Sequence, residues 1–148
     1  MSTYQKRIAI ALIVGLLGIS AWLFLTRWTP EQAANAQHFQ QALLEVRSAI
    51  AYANERGGMI DPSDTEYLIA SYKRAIDHAN KVEPDVLAKI NRKLDKIWTE
   101  AFLPSTNFYI RALKDQDRDL ARRAGLLQDD WVRWLQLNGQ TLDVPPSP

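Results

Sequence analysis

The stretch TPEQAANAQHFQQALLEVRSAIAYANERGG, Thr29 to Gly58, decides the fold class. Thr29 suits a helix N-cap, Pro30 fits the first turn, and Gln32 stands where its side chain completes a capping box. Ala36, Phe39, Leu43, Val46, Ile50 and Ala53 then recur at alternating steps of three and four, so they form one stripe along a helix. Gly57 and Gly58 close it, because glycine accepts the left-handed backbone that ends a helix. A stripe this regular needs other helices to cover it.

Toward the C-terminus the same grammar repeats three times. Asp61-Pro62-Ser63-Asp64 caps a second helix carrying Leu68, Tyr72, Ala75, Ala79 and Val82, and Glu83-Pro84 ends it. Pro84 opens a third, with Leu87, Ile90, Leu94, Ile97 and Ala101, which is expected to stop at Pro104 because the residue before a proline avoids the helical region. A fourth runs from Ser105 to Asn138-Gly139 along Ile110, Leu113, Leu120, Ala124, Leu127, Trp131 and Trp134. Its length predicts an overhang or a break at Asp115–Asp119, where Asp117 falls on a seam position, with Gly125 as a second candidate break. Asp117 is expected to be exposed, since Arg118, Asp119, Arg122 and Arg123 surround it at ordinary helical ion-pair spacings. Gln140 to Pro148, with Pro145, Pro146 and Pro148, reads as an extended tail. No stretch of strand alternation competes with these patterns.

Toward the N-terminus lies a different text. Eighteen consecutive uncharged residues, Ile8 to Leu25, stand between Lys6-Arg7 and Arg27, with Trp22 and Trp28 at the far end. A helix of this run spans about 27 Å, close to the ~30 Å hydrocarbon core of a bilayer. The run exceeds the usual secretory apolar region, and its small-x-small triplets are badly placed. Ala34-Asn35-Ala36 falls inside the first helix, and cleavage after Gly18-Ile19-Ser20 strands Ala21 to Leu25 as an apolar stub. Residues 8–28 therefore read as a retained transmembrane anchor. The fold class expected is all-α: a single N-terminal transmembrane helix followed by an antiparallel three- to four-helix bundle over 29–139.

Orientation follows from the basic flanks. Lys6, Arg7 and the terminal amine lie on the near side, while beyond Arg27 no basic residue occurs until Arg47. The seven-residue N-terminus is thus expected in the cytoplasm and, in a bacterium, the bundle in the periplasm, outside the inner membrane. Within the run Ala11, Gly15 and Gly18 share one helix face with Ala21 beside them, a surface on which another transmembrane helix packs closely. No ionisable residue interrupts the run, which argues against an ion path or a pigment ligand.

Composition narrows the chemistry. Lys6, Arg7 and Arg27 account for three of 18 basic residues, so 15 remain against 17 acids and the outer domain carries a formal charge of −2. That balance disfavours nucleic acid as a partner. There is no cysteine, which excludes thiolate metal sites, nucleophilic thiols and an acylated anchor. The two histidines, His38 and His78, each sit one position off an apolar seam; as a pair from adjacent helices they could hold a metal or haem iron, but no ExxH pattern or further ligand accompanies them, and they read as boundary residues facing solvent. GxSxG and phosphate-cradling glycine patterns are missing. No cofactor, metal or catalytic group is expected.

Two surfaces remain as candidate partner-binding sites. Lys89, Arg92, Lys93 and Lys96 form a basic stripe on the third helix, suited to an acidic partner or lipid headgroups. Near the end of the fourth helix, Leu126, Leu127, Trp131, Trp134 and Leu135 make an apolar face wider than a bundle edge needs, serving as a core plug or as a partner surface. The reading is a non-enzymatic single-pass protein, an accessory or assembly subunit of a membrane complex whose partners are other integral membrane subunits and the bilayer. A ligand-sensing or adaptor bundle that signals through a partner is the alternative.

Overall fold

The structure is a computed structural model that describes residues 27–57 and 60–145. The run Ile8–Leu25, with its Ala11, Gly15, Gly18 and Ala21 face, lies outside the described residues. Among the described residues no helix is long and apolar enough to cross a membrane, and no strand occurs.

Helix α1 (Pro30–Glu55) begins at Thr29 with the capping box complete: Gln32 N donates to Thr29 Oγ1 and Thr29 N to Gln32 Oε1. It ends before Gly57, which takes a φ of +61°. Helix α2 (Pro62–Ala79) starts with a second box, in which Asp64 N donates to Asp61 Oδ1 and Asp61 N to Asp64 Oδ2. The two run antiparallel. Tyr52 donates to Asp64 at 2.6 Å, Arg74 Nε to Glu45 at 3.0 Å and Asn35 Nδ2 to the Lys81 carbonyl at 2.8 Å, so contacts descend one helix as they climb the other. Between them lie Ala36, Phe39, Leu43, Val46, Leu68, Tyr72 and Ala75, all buried.

The third pattern departs from expectation. Helix α3 (Pro84–Ile90) stops early because Asn91 turns extended. Asn91 Oδ1 accepts from Lys93 N at 2.9 Å, a side-chain turn that competes with the helix. Leu94 N donates to the Asn91 carbonyl, and the released Ile90 carbonyl accepts from Asp143 N at 2.9 Å, so the C-terminal tail supplies the missing partner. The chain resumes as α4 (Leu94–Ile97), widens into a π-helical segment (Trp98–Phe102) and continues without pause into α5 (Leu103–Asp115).

Pro104 is thus not the terminator the sequence predicts. It lies in the first turn of α5, and Leu103 N reaches back five residues to the Trp98 carbonyl. That wider register absorbs a proline that lacks an N–H and would crowd the preceding turn. The Phe102 carbonyl accepts from Ser105 Oγ at 2.9 Å and Thr106 Oγ1 at 2.8 Å, both buried.

The rod ends at Gln116, a non-glycine residue with φ +51°, and helix α6 (Arg118–Asn138) starts at Asp117. The break falls within Asp115–Asp119. Asp117 is exposed and accepts from Leu120 N at 2.9 Å: its carboxylate on an apolar seam is an N-cap. Gly125 stays inside α6. The described residues form a helical bundle in which α1, α2, the α4–α5 rod and α6 alternate in direction, while α3 crosses the end where α1 begins.

After a short turn at Gly139–Thr141 the tail is extended, but not loose. Leu142 and Val144 pack on the core, Pro145 is buried, and Gln40 Nε2 donates to the Pro145 carbonyl at 3.2 Å. Both ends of the described chain therefore meet at one end of the bundle.

Candidate functional site

The centre of the bundle is aromatic. The π-helical segment directs Trp98 and Phe102 inward, stacked with centroids 4.0 Å apart and an interplanar angle of 3°. Phe39 of α1 lies 5.2 Å from Trp98, and Trp131 of α6 meets Phe102 edge-on at 5.2 Å. Trp131 is 2% exposed and donates its indole N–H to Ser105 Oγ at 3.2 Å, while Leu135 is 4% exposed. Both belong to the core, not to an open face. Trp134 and Leu127 are half-buried, with Trp134 against the core, and Leu126 is 57% exposed. The apolar residues of the proposed face therefore divide between core and surface because α6 supplies one wall of the aromatic cluster. A small void among Phe39, Leu94, Trp98, Phe102 and Trp131 is lined by apolar side chains alone.

Tyr72 and Tyr109 stack at 5.3 Å between α2 and α5. Burial pushes the Tyr109 hydroxyl up to about 12 and that of Tyr72 further, so both stay neutral over the accessible pH range. Near the α1–α2 turn, buried Asp64 is held by Tyr52, by Arg56 at 3.3 Å and by its capping bond. These groups are already satisfied by structural partners.

The end where the chain enters is built differently. Trp28 is half-buried against the bundle, with its indole N–H donating to Asp143 Oδ1 at 3.4 Å and the Lys89 ammonium 4.8 Å from its ring centroid. Arg27 pairs with the other Asp143 oxygen, and Lys89 donates to Gln32 Oε1. Beside them the exposed Arg92 and Lys93 form the turn after α3, anchored by Asn91 Nδ2 donating to Thr141 Oγ1 at 3.2 Å. The stripe read along one helix is therefore split by the break at Asn91. Lys89 lies against Trp28, Arg92 and Lys93 follow in the turn tied to Thr141, and Lys96 sits on α4, 3.9 Å from exposed Glu100.

One feature was missed by sequence reasoning. His38 and His78, expected to face solvent, are partly buried and face each other across α1 and α2 with Nδ1 atoms 3.0 Å apart. The signal available was positional: both lie one residue off the seams of helices that pair antiparallel. No family model, curated protein or solved structure matches the chain.

Proposed function

We propose that the chain is a non-enzymatic, single-pass membrane protein that serves as an accessory or assembly subunit of a larger membrane complex. In this reading Ile8–Leu25 is the anchor, the N-terminus is cytoplasmic, and the bundle stands on the periplasmic side of a bacterial inner membrane. One observation carries it. The uncharged run ends two residues before Arg27, and there the fold gathers Trp28, Lys89, Arg92 and Lys93 at a single end of the domain. A tryptophan at the end of an apolar span suits the headgroup layer, where its amphipathic ring sits. The aromatic centre supports a rigid body that positions other subunits, and the Ala11, Gly15, Gly18 and Ala21 face offers the packing surface within the membrane.

Extraction in mild detergent, followed by native electrophoresis and mass spectrometry, tests the proposal. A stoichiometric membrane companion is expected, and a solitary monomer would overturn the subunit reading. Gly15→Leu and Gly18→Leu are expected to weaken co-purification while insertion into the membrane persists. N-terminal sequencing that begins at Ala21 or Gln37 would remove the anchor.

A further inference from the structure

The His38–His78 pair joins the two helices through a single contact whose chemistry depends on protonation. Its geometry separates two explanations. The ring centroids lie 5.3 Å apart, which is the 3.0 Å nitrogen separation plus one ring radius at each end, so the two Nδ1 atoms point at each other along one line. Tetrahedral zinc, about 2.0–2.1 Å from each nitrogen, holds two such nitrogens roughly 3.3 Å apart with both rings aimed at the ion, off the line that joins them. Nδ1 atoms that face each other on one line at 3.0 Å have the geometry of a shared hydrogen.

We infer that His38 and His78 form a proton-sharing latch between α1 and α2, closed when one Nδ1–H lies between the rings and open when both Nδ1 atoms carry protons. Three states follow from the donor inventory of imidazole. In the neutral pair, one Nδ1–H donates and the other Nδ1 accepts. With one added proton the bond persists and becomes charge-assisted. With two, both nitrogens are donors, the acceptor is gone, and like charges face each other across 3.0 Å.

The surroundings set where the last step falls. Burial, His78 and Lys81, in that order, hold the His38 imidazole below the ordinary histidine value. One turn from His38 along α1 stand Ala34, Asn35, Gln41 and Ala42, none titratable. One turn from His78 stand Ala75, Val82, Lys81 and Arg74, and Arg74 is engaged with Glu45. No carboxylate occupies those positions to compensate the second proton. Because the folded value is depressed, the latch contributes in full above the unfolded value of about 6.5 and loses its contribution as pH falls from there through the depressed one. Acid thus removes one tie between α1 and α2.

The test is an NMR titration of both imidazoles in the full chain, held in detergent micelles, from about pH 8 to 4, a range that spans the ordinary histidine value. Two macroscopic steps more than about one pH unit apart are expected. In His78→Gln, His38 should titrate in one step, nearer to about 6.5. Amide exchange in α1 around His38 should accelerate at the acid end in the wild type more than in that variant. Independent titration of both rings near the ordinary value, unmoved by substitution of the partner, would overturn the latch. So would stoichiometric zinc binding that shifts both rings together without loss of the fold. If a variant fails to fold, the wild-type splitting alone decides.

Discussion

The α1–α2 hairpin and the segment from Asn91 to Pro104 face the same problem, satisfying backbone groups where a helix starts or stops, and they solve it by different means. In the hairpin the helix starts and the turn between the helices are solved locally. Thr29 with Gln32 and Asp61 with Asp64 close their own capping boxes, and Gly57 takes the positive φ at the exit. In the second segment local bonds such as Lys93 N to Asn91 Oδ1 are joined by borrowed ones. The Ile90 carbonyl is satisfied by Asp143, more than fifty residues away, Asn91 is tied to Thr141, and the register around Pro104 is widened so that Trp98 and Phe102 enter the core. Where a helix carries its own caps, its ends are set by nearby residues; where it borrows partners, they are set by the assembled fold.

The contrast breaks first at Phe102. Phe102→Ala removes the side chain that stacks on Trp98 and receives the edge of Trp131, and a loss of about 3–5 kcal/mol is expected in chemical denaturation. A loss below about 1 kcal/mol would mean that the π-helical register does not serve the core. Thr29→Ala, which deletes a local cap, should cost about 1 kcal/mol and act only on the first turn of α1. Asn91→Ala should also cost about 1 kcal/mol, yet its effect should be remote, with faster amide exchange at Asp143 as the tail loses its tie to Thr141. If exchange rises only near residue 91, the tail is held independently and the comparison weakens. The smallest effect is expected at Lys96→Gln, where the pair with Glu100 is exposed on both sides and loss should stay below about 0.5 kcal/mol.

Much of the fold was legible because its signals are short-range. The caps at Thr29 and Asp61, the seams of α1 and α2, and the break at Asp117 all follow from residues within one or two turns of each other. Pro104 misled for the opposite reason: a proline usually ends a helix, but here the hydroxyls of Ser105 and Thr106 and the wider turn before it keep the rod continuous. The same register adds Trp98 and Phe102 to the core beside Ala101, which the seam named, and leaves Ile97 partly buried against it. Of the candidate sites, Trp131 and Leu135 carried no mark to separate core from surface, since both uses ask for a large apolar side chain. Lys89, Arg92 and Lys93 looked like a helical stripe and became a cluster once Asn91 broke the helix. His38 and His78 could be read as a pair only through a metal, and their direct contact was not visible.

By itself, the sequence determined the all-helical class of the described residues and the ends of α1, the start of α2 and the break at Asp117, because helix periodicity and capping act over a few residues. Tertiary structure alone decided which carbonyl the tail would satisfy, where the helix would widen around Pro104, and that two histidines forty residues apart would meet nitrogen to nitrogen. Those outcomes depend on what lies opposite each residue across the bundle. A one-dimensional pattern gives the face on which a residue stands; only packing supplies its neighbour.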